Sequence, residues 1–205
     1  MINGFELHQP DWAVAALAEI PEFVPSLDAR MRWVIRFSEL NIDHETGGPF
    51  AAGVFESETG RLVTIGVNRV MASNCSSAHA EVMALSLAQQ SIGHFDLGSS
   101  DAEIGGQSYQ LVVNWRPCAM CYGALIWSGV RSLVIAGSGP ELEEITGFDE
   151  GPIHPEWRQE LLKRGISVTD NVLTAEAISV YEKFRRKGAY VYNGRTGTGR
   201  DSGGI

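Results

Sequence analysis

Leu27, Met31, Val34 and Ile35 recur at the i, i+4, i+7, i+8 spacing of a helix with one buried face, and Ser26 before them is a residue type that caps helix starts. Phe50–Phe55 and Arg61–Val67 instead read as two strands, joined into a hairpin by the polar stretch Glu56–Gly60. From about His79 the helical period returns, with Ala80, Met83, Ala84, Leu87 and Ala88 on one face, and this helix is expected to pack on the hairpin's sheet. Tyr109–Val113 is a continuous apolar run of the buried-strand kind. Pro117 then opens a helix whose inner face is read as Met120, Gly123, Ala124 and Trp127, which makes Trp127 a core residue. Ser132–Ala136 repeats the strand signal. The last helix is expected to start with Thr174 as N-cap and Leu173 and Ile178 as a hydrophobic staple, to bury Ala177, Val180, Tyr181 and Phe184, and to stop at Lys187-Gly188. Elements in this order predict an α/β fold with a mixed sheet, helices on both faces and right-handed crossovers.

Composition shifts mark the organisation. Residues 1–25, with Pro10, Pro21 and Pro25, read as an N-terminal arm lying on a domain that spans 26–190. The stretch 89–108 reads as a surface connection, and 137–157, rich in Gly and Pro, as a loop with little regular structure, of the kind that forms functional lids. Residues 191–205, with five glycines between Gly194 and Gly204, read as a tail that is either a lid or disordered.

At 205 residues the chain suits one compact domain. A formal charge of −9 argues against sequence-independent binding to phosphate backbones or anionic lipid. The short basic run Lys183, Arg185, Arg186 and Lys187 is accordingly assigned to the last turn of a helix, where cations are favoured, rather than to RNA. The first residues lack the basic start and apolar core of a signal peptide, and the longest mostly apolar run, Cys118 to Trp127, is too short to cross a bilayer, so a cytoplasmic protein is expected. Three cysteines are too few for a disulfide framework, and Cys118 and Cys121 therefore call for a metal or redox explanation.

The chemistry concentrates in two short stretches, His79-Ala80-Glu81 and Pro117-Cys118-Ala119-Met120-Cys121, each at the expected start of a helix. Cysteines three apart lie on neighbouring sides of one turn, so both sulfurs reach a single ion, and His79 supplies a third ligand. Residues two apart on a regular helix point almost oppositely, so His79 and Glu81 share a site only if His79 sits at the frayed first turn. Three protein ligands leave the fourth tetrahedral position of a zinc ion open, the arrangement of a catalytic site, with Glu81 as the nearby base. A structural zinc or a redox pair remains the alternative, and a closed site would need Cys75 as its fourth ligand.

Together these stretches form the H-x-E…P-C-x-x-C signature of zinc-dependent base deaminases. Here the chain resembles the cytidine deaminase superfamily, and within it the guanine deaminase and purine-type nucleobase deaminase branch. The resemblance runs from about Arg30 to Phe148. It is carried by Gly48-Pro49-Phe50-Ala51-Ala52, Asn68-Arg69-Val70, Ala78-His79-Ala80-Glu81, Pro117-Cys118-Ala119-Met120-Cys121-Tyr122-Gly123-Ala124, Trp127-Ser128-Gly129-Val130 and, for guanine deaminases in particular, Gly147-Phe148-Asp149-Glu150-Gly151-Pro152. It implies a three-layer α/β/α sandwich with a mixed five-stranded sheet, one zinc per subunit, a homodimer, and hydrolysis of a free nucleobase, guanine first, with a triazine, pterin, nucleoside or tRNA adenosine as the alternative substrate. By this resemblance His79, Cys118 and Cys121 are the zinc ligands, Glu81 is the proton shuttle, Asn68 contacts the base, and Glu150, or less favourably its neighbour Asp149, is a second catalytic or substrate-contacting carboxylate, the alternative for both being a solvated acidic loop. Ala80 is a further candidate substrate contact, and Trp115 either stacks on a flat ring or belongs to the core or an interface. Arg116 departs from the family pattern, which often has Glu before Pro-Cys.

Overall fold

The computed structural model describes residues 3–98 and 106–193. Thirteen elements are present among them: α1 (Asp11–Leu17), α2 (Leu27–Asp43), β1 (Ala51–Glu56), β2 (Leu62–Val67), α3 (Val70–Ser73), α4 (Ala80–Ile92), β3 (Tyr109–Val113), α5 (Ala119–Trp127), β4 (Ser132–Ile135), α6 (Glu141–Thr146), α7 (Trp157–Leu162), β5 (Ser167–Thr169) and α8 (Thr174–Lys187).

The strands form one sheet in the order β2-β1-β3-β4-β5. The hairpin β1–β2 and the pair β1–β3 are antiparallel, whereas β3–β4 and β4–β5 are parallel, as helical crossovers require. Side chains alternate across the sheet. Val112 and Val134 join one core with α1, α2, α6 and α8, while Leu111, Val113, Leu133 and Ile135 join a second core with α4, α5 and α7. Two cores on the two faces of one mixed sheet make the expected three-layer sandwich.

Local expectations meet this frame unevenly. Ser26 Oγ accepts from Ala29 N at 3.2 Å, the cap read from sequence, and α4 begins one residue after His79. Thr174 is not an N-cap. It is the first residue of α8, and its hydroxyl donates to Ala136 O at 2.5 Å, tying the helix to the end of β4 instead. The buried set of α8 is Ala177, Val180, Tyr181 and Phe184 as read, and Gly188 ends the helix at φ 62°. The stretch 137–157 is more regular than expected, because it holds α6. Helix α1, within the arm, buries Ala13 and stacks Trp12 on His44 at 5.1 Å.

The inner face of α5 was misread. The helix buries Cys121 and Leu125, while Met120 is 39% and Trp127 86% exposed. Every position of this helix is apolar or glycine, so no polar face marks which side meets the sheet. Arg185, Arg186 and Lys187 fall in the last turn of α8 as expected, and Lys183 in addition reaches Glu39 at 2.9 Å and Asp43 at 2.8 Å, on α2. Among the described residues no helix is long and apolar enough to cross a membrane.

Candidate active site

Two helix starts build the centre. His79 is the N-cap of α4 and Cys118 that of α5, both with extended backbone, so each side chain leaves its helix at the first turn rather than along the barrel. The opposition between His79 and Glu81 on a regular helix is thereby removed, as anticipated. His79 Nδ1 lies 3.5 Å from Cys118 Sγ, and one ligand atom from each of His79, Cys118 and Cys121 falls within 4.8 Å of the others. Cys121 N donates to Cys118 Sγ at 3.5 Å, and the N-termini of α4 and α5 both face the cluster.

The donor set fits zinc: two thiols and an imidazole, deprotonatable and within tetrahedral reach, form the one such group among the described residues. The Cys118 thiol is pushed down to about 4, first by its hydrogen bond with Cys121 and then by His79, against the cost of burial. Cys121 moves the opposite way, since the neighbouring sulfur and burial hold its proton. A cation displaces that shared proton. Cys75 is not a fourth ligand; its sulfur contacts Ser77 Oγ at 3.2 Å, and all three cysteines are free.

Glu81 is buried beside the cluster, and burial followed by the charge of Cys118 raises its carboxyl above the ordinary range. Glu150 comes from the loop after α6. It is half-buried, and burial followed by the charges of Cys118 and Glu81 pushes it up to about 8. Both carboxylates line one cavity of about 460 Å³ with His79 and Cys118, within the size range of small-molecule sites.

The expected substrate contacts divide. Asn68 and Ala80, both buried, line the cavity, Asn68 with its amide nitrogen turned inward. Trp115 also lines it yet belongs to the core, edge-on to Tyr181 at 5.5 Å and donating from Nε1 to Gly139 O at 3.2 Å. Asp149 reaches the cavity wall but is exposed, and its carboxylate accepts from Gly151 N at 2.8 Å, shaping the loop that carries Glu150. Phe50 both packs edge-on against Phe148 at 5.0 Å and lines the cavity. Arg116 borders the same cavity. Its backbone N donates to Gly137 O at 2.8 Å, while its buried Nε has no partner among the described residues.

Sequence reasoning missed the residues that close the mouth. After α8 the chain returns across the site: Tyr192 packs edge-on against His79 at 6.2 Å and Phe148 at 5.2 Å, and its hydroxyl accepts from Asn68 Nδ2. Asn193 clamps this segment to the Glu150 loop, accepting from Asp149 N and donating to Gly147 O, both at 2.9 Å. Of the tail read as lid or disordered, Tyr192 and Asn193 line the site, and 194–205 lie outside the described residues. The lone sequence signal was the aromatic pair Tyr190 and Tyr192 just before a glycine-rich stretch. Asn114, also missed, is buried after β3, where it binds Ala51 N and Pro49 O through its side chain and fixes the approach to Pro117-Cys118.

Comparison with known proteins meets this geometry. A guanine deaminase of Bacillus subtilis (strain 168) is 30% identical over 139 residues, covering 68% of this chain and 81% of the relative. The solved guanine deaminase from Nitrosomonas europaea superposes with a TM-score of 0.83 at 40% identity, over 91% of this chain and 98% of that one. A structure of NE0047 in complex with 2,6-diaminopurine gives 0.85 at 40% identity, over 94% and 98% of the two chains. Residues 28–137 match the family described as the cytidine and deoxycytidylate deaminase zinc-binding region. Because that match spans more than half of the chain and contains all three metal ligands with Glu81, the chain belongs to this family and is a zinc-dependent aminohydrolase.

Proposed function

We propose that the protein hydrolyses guanine to xanthine and ammonia. The observation that carries this reading is the convergence of Glu81 and Glu150 with the ligand cluster on one cavity, which the Asn68 amide also lines. The similarity to guanine deaminases over most of the chain supports the choice of base. Tyr192 over the mouth favours a free flat base over one bearing a sugar.

Zinc, held by His79, Cys118 and Cys121, supplies the Lewis acidity that makes water reactive at neutral pH. Glu81 takes a proton from the attacking water as the new C–O bond forms at C2 and delivers it to the adjacent ring nitrogen, leaving a tetrahedral carbon that bears hydroxyl and amine. Glu150, on the amine side, donates a proton there as the C–N bond breaks, and the hydroxyl proton returns to the carboxylate as C2=O forms. Water and guanine are thus consumed, and xanthine and ammonia leave. Asn68 donates to an acceptor on the ring edge, and a base lacking that acceptor would strand a buried donor. Ala80 and Trp115 form wall, and Asp149 holds the Glu150 loop.

We read residues 26–190 as the deaminase domain, 1–25 as an arm and 191–205 as a tail, of which Tyr192 and Asn193 border the cavity. A homodimer through the face of α5 is supported by the exposure of Trp127 and Met120, the latter also lining the cavity. Cytoplasmic residence accords with three free thiols and no disulfide. Ammonia release over guanine, adenosine, cytidine and triazines tests the reading. Guanine is expected to be preferred, and preference for any other substrate overturns it. Light scattering of Trp127→Glu, expected to be monomeric, tests the dimer; a wild-type mass for that variant removes the α5 face as the interface.

A further inference from the structure

The donor that meets the base is held from behind. Asn41, near the end of α2, is buried, and its Nδ2 donates both to Asn68 O at 3.0 Å and to Gly48 O at 2.9 Å. Its Oδ1 accepts from Thr46 Oγ1 at 2.7 Å, and that hydroxyl accepts from Trp12 Nε1 of α1 at 2.9 Å. Both amide protons and the oxygen of Asn41 are therefore used, which leaves its side chain a single orientation. Gly47 lies so close that any Cβ there would collide with the Asn68 carbonyl. On the other side, Asn68 Oδ1 accepts from Gly48 N and Val70 N, both at 3.4 Å, which turns Asn68 Nδ2 into the cavity.

We propose that Asn41 is a positioning residue for substrate recognition, fixing through the Asn68 carbonyl and Gly48 where the Asn68 amide donor stands, with Thr46 and Trp12 locking its orientation. The inference rests on the reading of Asn68 as the base contact. Asn41 itself does not line the cavity; it links Asn68 to Gly48, two residues before Phe50, and so joins two walls of the site. A recognition group displaced by a fraction of an ångström loses much of its contribution, which gives such a residue kinetic weight without substrate contact.

The test is a double-mutant cycle on the zinc-loaded enzyme, with Asn41→Ala and Thr46→Val each made alone and with Asn68→Ala, and kcat/KM measured for guanine alongside the melting temperature. Asn41→Ala is expected to lower kcat/KM about tenfold with Asn68 present and less than about twofold without it, the coupling of residues in one hydrogen-bond network. Thr46→Val, which keeps both Asn41 donors, is expected to act in the same direction by about threefold and carries the cycle if Asn41→Ala fails to fold. Equal losses in both backgrounds would show a general structural effect and overturn the proposal. Full activity of Asn68→Ala would remove the reading of Asn68 first and the proposal with it.

Discussion

The Tyr192 hydroxyl accepts from the Asn68 amide across the mouth of the cavity, so the group proposed to meet the base is engaged by the segment beside it. On the proposed reading, an entering base takes the Asn68 donor from Tyr192 and receives the Tyr192 ring as a lid. Tyr192→Ala should therefore lower kcat/KM for guanine ten- to hundredfold, about 1–3 kcal/mol for a lost aromatic platform over a base. Tyr192→Phe, which keeps the ring and frees Asn68, should stay within about threefold of wild type. Steady-state ammonia release separates the two, and equal losses would mean that the hydroxyl rather than the ring does the covering.

Glu81 touches no metal-ligating role in the donor cluster, so Glu81→Gln should retain stoichiometric zinc while losing turnover by about 10²–10⁴-fold, the range for a positioned acid–base group. Metal analysis beside an ammonia assay checks both halves. Substantial activity in the zinc-loaded variant would remove Glu81 as proton carrier.

Glu150, held up to about 8 by burial and by the charges of Cys118 and Glu81, keeps its proton at neutral pH and loses it above. If the protonated form serves the leaving amine as proposed, kcat should fall by about tenfold per pH unit once pH passes that value, and Glu150→Gln should lower kcat and flatten this limb. The sign carries to stability as well: a carboxyl raised on folding contributes most below the ordinary carboxylate range, and its contribution is lost as pH rises through about 8. A pH–rate profile of both proteins decides; an unchanged alkaline limb in the variant would assign it to another group.

Gly66, in β2, sits where α4 crosses the sheet, and a Cβ there would stand 2.7 Å from Ala80 O and 2.9 Å from Ala84 Cα. These are backbone atoms of α4, which His79 caps, so they give way only if the whole helix moves. Gly66→Ala should cost about 1–3 kcal/mol and lower zinc occupancy with it. Thermal melting and metal content should fall together; an unchanged melt would show that the helix has room to shift.

The metal ligands and Glu81 were legible because their chemistry is local. Each lies within a few residues of a helix start, and spacing along the chain translates directly into spacing around one turn. Trp127 was not, because α5 is apolar all round and its buried side is set by which face the sheet happens to meet. Thr174 carried a real capping propensity, but Ala136 O offered its hydroxyl a partner only after β4 and α8 were brought together.

What the amino-acid order determined alone was the main helices α2, α4, α5 and α8, the strands β1 to β4 with a mixed sheet between helices, and the pair of motifs at two helix starts, all read from short-range spacing. Only the tertiary structure decided the mouth of the site and its support. Tyr192 reaches Asn68 across 124 positions and Thr46 links Trp12 to Asn41 across two helices, contacts that no local pattern encodes because they exist only once the sheet has fixed where the chain's distant ends return.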